Sequence, residues 1–211
     1  MRDQYRSISF LEKNDKKYQE YSKKMQFLRN TNRFIGESDS KQTITAWLER
    51  VMTMHISRVF IHSTCNILTW EELNSFNQYT RKYSEIDGLF NSNDGSLYIE
   101  VKASQSKSSL SKGKSQINKN LKLMTLISKN TIGILVMADC RCFDSSFGFS
   151  IEKIEDENTN STQYKKIEGL DLPESFNSSH KWLWLLSQED VHQLATQYGS
   201  PQTETTDPDY L

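Results

Sequence analysis

The chain has 211 residues, a formal net charge of -1 and a hydrophobic fraction of 36%, the profile of a rather polar globular protein. Its 10 Phe, 9 Tyr and 4 Trp residues are enough to close a core, so wholesale disorder is not expected. No apolar run approaches the roughly 20 residues of a membrane-spanning helix, and the polar start MRDQYRSISF is unlike a secretory signal. The cysteines, Cys65, Cys140 and Cys142, fit neither a disulfide framework nor zinc-finger spacing, so we expect reduced thiols in a cytoplasmic protein.

Two helices are expected in the first part of the chain. Apolar residues spaced through 8–30 predict an amphipathic helix with a basic outer face, within an N-terminal helical extension over 1–38. A loop of small polar residues then supplies a cap for a second helix over about 42–55, with Trp47 and Leu48 on its apolar side.

Three strands are expected after the second helix. The β-forming run 58–68 is the first, and a polar connection with a helical turn at 70–77 leads to the second at 82–90. The turn NSNDGS joins the second strand to a third at 96–104, so that the two form an antiparallel hairpin.

A helix and a buried strand are expected next. A loop rich in Ser, Lys and Gly at 104–115 leads to a helix near 115–128. The continuous apolar run 131–139 predicts a strand that is buried on both faces. The segment 42–139 thus has the order αβββαβ, and we place the whole core at 39–154.

The remaining residues are interpreted as an extension packed on that core, over 155–200. A further strand is expected at 147–155, followed by a polar loop over 155–180. The run WLWLL at 182–186 fits either a strand or a docking segment, and Ser187 is expected to cap a short helix. The tail 201–211 is expected to be disordered.

One group of charged residues is arranged for chemistry. Side chains alternate along a strand, so Glu100 and Lys102 share one face of theirs, as do Glu85 and Asp87 of the neighbouring strand. If the register brings Asp87 beside Glu100, two carboxylates and an ammonium converge, which costs free energy unless a cation sits between the carboxylates. Oxygen ligands of this kind favour Mg²⁺ or Mn²⁺.

The pattern of Asp87, twelve intervening residues and Glu100-Val101-Lys102 resembles the PD-(D/E)xK nuclease superfamily. The resemblance covers about 42–139 and includes the αβββαβ order. Glu49 stands where this family often has a glutamate on the first core helix, and Gln116 where it often has a glutamine after the ExK strand. At one position the sequence departs from the named motif, since Ile86 and not proline precedes Asp87.

The resemblance implies a restriction-endonuclease-like fold, α/β with a mixed central sheet flanked by helices. It implies that Asp87, Glu100 and the backbone carbonyl of Val101 bind Mg²⁺ or Mn²⁺, and that Glu49 assists directly or through water. Lys102 would orient or activate the attacking water, and Gln116 would position Lys102 or a phosphate. The expected protein is an endonuclease that cleaves DNA in preference to RNA, in phage defence, restriction or recombination.

A lysine-rich stretch begins on the same strand. Residues 102–129 contain seven lysines and no acid, which fits either a solvated surface or a track for phosphates. If it is such a track, we expect four of these lysines to contact the nucleic-acid backbone: Lys107, Lys112, Lys114 and Lys119.

Other functions stay open at this point. The chain could be a weakly catalytic nucleic-acid-binding subunit of a larger complex, an RNA nuclease, or a homodimer of either kind. Residues 152–211 hold 12 acidic side chains and 4 lysines, so the C-terminal part could instead dock on a basic partner. The Gly-rich phosphate loop of NTPases is absent from the sequence, so any motor would be another chain.

Overall fold

The structure is a computed structural model of the chain. It describes residues 3–32, 39–92, 95–103, 107–128, 130–145, 147, 164–173, 176 and 181–201. These residues form four α-helices, α1 (Lys16–Asn32), α2 (Asp39–Ile56), α3 (Lys107–Met124) and α4 (Gln188–Tyr198), and a short 3-10 helix, Cys140–Cys142. They also form nine strands: β1 (Tyr5–Leu11), β2 (Ile61–His62), β3 (Ile67–Leu73), β4 (Tyr79–Glu85), β5 (Gly88–Ser92), β6 (Gly95–Ala103), β7 (Thr131–Ala138), β8 (Tyr164–Glu168) and β9 (Lys181–Leu186).

Six strands make the central sheet, in the order β2-β5-β6-β7-β9-β8. The β2, β5 and β6 strands run antiparallel to one another, whereas β6, β7, β9 and β8 run parallel. All of β7 is buried, which explains its continuous apolar sequence. The expected α/β class with a mixed central sheet flanked by helices is therefore confirmed.

Helices α2 and α4 cover one face of the central sheet, and α3 covers the other. Leu48 of α2 and Val191 of α4 share an apolar cluster with Ile99 of β6. On the opposite face Ile117 of α3 packs in a second cluster with Tyr98. Successive residues of β6 thus enter different layers, and the side chains of Glu100 and Lys102 belong to the α3 layer by alternation.

A second, three-stranded antiparallel sheet has the order β1-β3-β4. The turn between β3 and β4 is held by Asn74, whose side-chain oxygen accepts hydrogen bonds from the backbone N–H groups of Phe76 and Gln78. After Glu85 the chain leaves this outer sheet, and after two intervening residues, Ile86 and Asp87, it enters the central sheet as β5. Asp87 therefore lies in the link between the two sheets.

The N-terminal prediction was wrong in part, because residues 5–11 form a strand and not a helix. Strand β1 pairs antiparallel with β3, and Tyr5, Ile8 and Phe10 pack against the buried cluster beneath. A two-residue apolar period was thus read as part of a helical one. The helix itself starts at Lys16, so the expected helical extension over 1–38 begins with a strand of the outer sheet.

The region between α2 and β6 was also divided differently from the prediction. The run 58–68 supplies only the two-residue β2 and the start of β3. The expected helical turn at 70–77 is wrong, because β3 continues to Leu73. Glu71 and Glu72 are held in the strand by pairing with β1 on one side and β4 on the other. The expected strand 82–90 is two strands, β4 and β5, interrupted at Ile86 and Asp87.

Corrections are also needed for two loops. The described part of the expected loop 104–115 is helical, since α3 begins at Lys107. The expected polar loop 155–180 contains β8, whose Ile167 is buried against the helix-covered core. Most of the strand expected at 147–155 and of the tail expected at 201–211 lies outside the described residues.

The C-terminal helix and the tryptophan-rich run behave as the sequence indicated. Ser187 caps α4 in a capping box with Asp190, and the two exchange side-chain to backbone hydrogen bonds. The run WLWLL forms β9, which lies inside the central sheet between β7 and β8. In the described part of the chain, none of the helices is long and apolar enough to cross a membrane.

Candidate metal centre

The candidate site forms where β6 extends beyond its partner β5. The pairing of these strands ends at Gly88 opposite Ile99, whereas β6 continues to Ala103 with β7 on its other side. Beyond the end of β5, the Asp87 carboxylate pairs with the free edge of β6: its Oδ2 accepts a 2.7 Å hydrogen bond from the backbone N–H of Val101. The strand ladder therefore determines where this carboxylate lies.

Glu100 and Lys102 project together from the α3 face of β6. Glu100 is fully buried, and its Oε2 accepts a 2.8 Å hydrogen bond from the hydroxyl of Tyr98. The Nζ of Lys102 contacts Oε1 of Glu100 and lies 3.9 Å from Oδ2 of Asp87. The expected convergence of two carboxylates and one ammonium is thus present in the structure.

Glu49 approaches the same group of charges from α2. Its side chain is half-buried, and its pKa is raised from 4.5 to about 7. Burial is the largest cause and the Asp87 carboxylate acts in the same direction, whereas Lys102 and Lys13 act to lower the pKa. Glu49 is therefore close enough to sense the charges at the end of β6, although it belongs to a different element.

The electrostatics of the site show a shortage of positive charge. Burial raises the pKa of Glu100 to about 7, and the Asp87 carboxylate adds to this effect. Burial also raises the pKa of Asp87, despite Lys102 and the Val101 N–H. Burial alone would lower the pKa of Lys102, but the carboxylates of Glu100 and Asp87 outweigh it and the pKa is raised. The ammonium of Lys102 thus faces the carboxylates of both Glu100 and Asp87.

The donor atoms fit a hard divalent cation better than a soft one. Among the residues that the structure describes, no three His, Cys, Asp or Glu side chains are grouped to hold a metal ion. Two carboxylates, from Asp87 and Glu100, are available, and the Val101 carbonyl lies on the same strand edge as the Val101 N–H. Mg²⁺ commonly uses only one or two carboxylates and keeps several waters, so this set suits Mg²⁺ or Mn²⁺. Glu49 then fits a role through water.

Helix α3 covers the site and carries Gln116. At Gly113 an added Cβ would lie 2.6 Å from Cδ1 of Leu135 and 3.4 Å from Cγ of Lys102, so the helix packs tightly here. Gln116 follows by almost one turn, is half-buried and lies in the middle of the helix, not near its start. Helical spacing therefore places it toward the flank of α3 that borders the Glu100 row of the sheet.

Further residues around the site, and contacts between them, were not expected from the sequence. Tyr98 could have been found, because it precedes Glu100 by two residues and so shares its face. Lys13, in the turn after β1, lowers the pKa of Asp87 and of Glu49, but it is distant in sequence and gave no signal. Glu85 accepts a hydrogen bond from the hydroxyl of Tyr18 on α1, a contact that no local pattern encodes.

Of the four lysines expected to contact phosphates, the three whose side chains the structure describes do not form one track. At 100° per residue, Lys112 and Lys119 lie within about 20° of each other on α3, whereas Lys114 lies more than about 130° from both. Lys119 Nζ lies 4.8 Å from the ring centre of Trp70 in β3, and Lys114 Nζ lies 5.4 Å from that of Tyr164 in β8. The side chain of Lys107 lies outside the described part of the structure.

The chain matches no protein-family model, no curated protein and no solved structure. Its fold class is α/β with a mixed central sheet, and its candidate site combines Asp87, Glu100 and Lys102 at the end of one strand, with Glu49 nearby. Buried carboxylates with raised pKa values next to a charged partner are typical of functional sites.

Proposed function

We propose that the protein is a metal-dependent nuclease that hydrolyses phosphodiester bonds, with DNA as the favoured substrate. The observation that carries the proposal is the convergence of Asp87, Glu100 and Lys102 at the point where β6 runs beyond β5. Two carboxylates and a lysine at the end of one hairpin are the groups that hydrolysis of a phosphodiester requires: oxygen ligands for a divalent ion and a cation for the developing charge.

The topology supports a restriction-endonuclease-like core. Helix α2, strand β2, the β5–β6 hairpin, helix α3 and the parallel strand β7 follow the αβββαβ order that the PD-(D/E)xK resemblance implies. The β3–β4 hairpin is then an insertion before β5, completed as a sheet by β1. In this assignment Asp87 precedes the first strand of the hairpin and Glu100-Val101-Lys102 ends the second.

The cation would be held by Asp87, Glu100 and the Val101 carbonyl. When bound, it would polarise a phosphate oxygen and lower the pKa of a bound water. Glu49, whose pKa is near 7, would accept a hydrogen bond from a water bound there once its carboxylate is deprotonated. The carboxylates position the reacting groups, and they remain ionised most readily when a cation offsets their mutual repulsion.

Lys102 would act as a hydrogen-bond donor and not as a base. Its pKa is raised by the surrounding carboxylates, so it keeps its proton at neutral pH. With its side chain 26% exposed, the ammonium can turn from Glu100 toward a phosphate oxygen or an attacking water. Gln116, on the adjacent flank of α3, would hold a second phosphate oxygen through its side-chain amide.

Incubation of the purified full chain with supercoiled DNA, linear DNA and RNA tests the proposal, with Mg²⁺, Mn²⁺, Ca²⁺ or excess chelator. We expect cleavage of DNA with Mg²⁺ or Mn²⁺ and little with Ca²⁺, because its longer and looser coordination misplaces water and phosphate. Cleavage in excess chelator would contradict the metal dependence. Binding of every substrate without cleavage under any metal would favour a binding subunit instead.

Matched variants separate the site from other charged groups. Asp87→Asn and Glu100→Gln should abolish cleavage, because each removes a carboxylate ligand. Glu71→Gln is the control, since Glu71 also pairs with cations, Arg6 and Arg81, but on the outer sheet. Equal loss of cleavage in all three variants would assign the effect to the fold and not to the site.

A further inference from the structure

A buried chain of hydrogen bonds ends on the carboxylate of Glu100. The side-chain nitrogen of Asn120, on α3, donates to the hydroxyl of Tyr98 at 2.9 Å, and that hydroxyl donates to Oε2 of Glu100 at 2.8 Å. The same nitrogen lies 3.3 Å from Oγ of Ser84 at the end of β4. Tyr98, Glu100 and Asn120 are all fully buried, so solvent does not compete for these bonds.

Both hydrogen bonds of this chain, from Asn120 to Tyr98 and from Tyr98 to Glu100, are directed toward the carboxylate. A tyrosine hydroxyl has one proton, and here it is given to Glu100, so the hydroxyl oxygen is free to accept from Asn120. The other oxygen of Glu100 contacts the ammonium of Lys102. The carboxylate is thus held from two sides, and each oxygen keeps a lone pair for a further partner.

The arrangement leaves one polar atom of Asn120 without a hydrogen bond in the part of the chain that the structure describes. Its side-chain oxygen is buried without a hydrogen-bond partner among the described residues. A buried acceptor left unpaired lowers the stability of the folded chain, and a leucine of similar shape would avoid that loss. The stability of the folded chain therefore does not explain why residue 120 is an asparagine. Its hydrogen bond, which orients the Tyr98 hydroxyl, does explain it.

We propose that Tyr98 and Asn120 are positioning residues that fix the Glu100 carboxylate for a divalent cation. This inference rests on the proposed metal-dependent function, and it adds residues from outside the Asp87, Glu100 and Lys102 group. Partners that orient a metal-binding carboxylate typically change metal affinity by about 10–100-fold when they are removed. The aromatic ring of Tyr98 has a separate role, because it packs in the core beneath α3.

The test compares two Tyr→Phe variants that lose the same group in different places. Tyr98→Phe keeps the ring and removes the hydroxyl that donates to Glu100. Tyr79→Phe is the matched control, since the Tyr79 hydroxyl donates at 2.8 Å to the backbone oxygen of Asp3 on the outer sheet. Mn²⁺ binding is measured by electron paramagnetic resonance without nucleic acid, and urea unfolding is followed in parallel.

We expect Tyr98→Phe to weaken Mn²⁺ binding by about 10-fold, and Tyr79→Phe to leave it unchanged. The Mg²⁺ concentration for half-maximal cleavage should rise by the same factor, while the rate at saturating Mg²⁺ largely recovers. If the Tyr98 hydroxyl were only structural, Tyr98→Phe would lower the free energy of unfolding without raising the Mg²⁺ concentration needed for half-maximal cleavage. Unchanged Mn²⁺ affinity in folded Tyr98→Phe would overturn the positioning role.

Asn120→Leu provides a second variant that is expected to fold, because it removes the unpaired buried oxygen. It frees the Tyr98 hydroxyl to rotate, so Mn²⁺ affinity should fall by less than in Tyr98→Phe. The double variant should bind Mn²⁺ no more weakly than Tyr98→Phe, since the two side chains act in series. Additive losses would overturn the series arrangement. Failure of the wild-type chain to bind Mn²⁺ would instead overturn the proposed function together with this inference.

Discussion

Asp87 accepts the backbone N–H of Val101 at 2.7 Å, and this bond ties the link between the two sheets to the strand that carries Glu100 and Lys102. The link itself is fixed on its other side, because the N–H of Ile86 donates to the carbonyl of Asn66 at 2.9 Å. The Asp87 carboxylate therefore has two roles: it accepts a hydrogen bond from the free edge of β6, and it faces the carboxylate of Glu100.

Two substitutions distinguish these two roles of Asp87. Asp87→Asn keeps an oxygen for the Val101 N–H and removes a negative charge, so the metal-free protein should be at least as stable as wild type. Asp87→Ala leaves the Val101 N–H unpaired and should cost about 1–3 kcal/mol relative to Asp87→Asn. Both should lose cleavage. Urea unfolding in excess chelator measures the difference, and a more stable alanine variant would contradict the structural role of the bond.

Lys102 has a structural role that the sequence pattern does not show. Glu100 is fully buried, and its contact with the Lys102 ammonium offsets a charge that would otherwise be isolated. We expect Lys102→Met to destabilise the protein by about 3 kcal/mol at pH 8, because removing one partner leaves a buried charge uncompensated. Adding Glu100→Gln should restore most of that loss, which urea unfolding of single and double variants would measure. A loss that is the same with and without Glu100→Gln would show that the ion pair is not its cause.

The local parts of the site could be predicted from the sequence. Alternation along 96–104 placed Glu100 and Lys102 on one face, and the apolar run 131–139 identified β7 as a strand buried on both faces. The position of Asp87 could not be predicted in detail, because the break between β4 and β5 depends on pairing with β3, a strand that was read as a polar connection. Strand β1 was missed for a similar reason, since the strand it pairs with lies more than fifty residues further along the chain.

Contacts between distant elements account for the rest. Asn120 reaches Tyr98 because α3 packs closely on the sheet, with Gly113 against Leu135. Lys114 and Lys119 are close in sequence, yet helical geometry sends them to opposite sides of α3. A run of lysines in the sequence does not show to which side of a helix each side chain projects. That became clear only once the start and end of α3 were known.

The raised pKa values predict that the metal-free protein loses stability as pH rises. The pKa of Glu100 and of Glu49 is about 7 in the folded state and near 4.5 ordinarily. Between these values the folded chain holds protons that the unfolded chain has released, so the free energy of unfolding falls as pH rises from about 4.5 to about 7. One pKa unit corresponds to about 1.4 kcal/mol, so the buried Glu100 contributes on the order of 3 kcal/mol.

Urea unfolding at pH 5 and pH 8 in excess chelator measures this effect. Glu100→Gln should remove the larger part of the difference, because the amide does not titrate. Mg²⁺ should raise stability at pH 8 more than at pH 5, since it binds the deprotonated carboxylates. A metal-free wild-type protein that is more stable at pH 8 would contradict the assignment of these two carboxylates as the titrating groups.

The two flanks of α3 predict different contributions to nucleic-acid binding. Lys112 and Lys119 lie on the flank that borders β3, whereas Lys114 lies near β8. Asp87 follows directly from the outer sheet, so the Lys112 and Lys119 flank is on the side of the candidate site. We therefore expect these two lysines, and not Lys114, to contact the phosphate backbone.

A salt series on duplex DNA separates the flanks, with Asp87→Asn present to prevent cleavage. Each lost phosphate contact flattens the slope of log affinity against log salt by about 0.9, so Lys112→Gln with Lys119→Gln should flatten it by nearly two. Lys114→Gln should leave the slope unchanged. The loss should be equal for different sequences, because phosphate contacts position the duplex without reading it. A flatter slope with Lys114→Gln alone would move the backbone path to the β8 side of α3, away from Asp87.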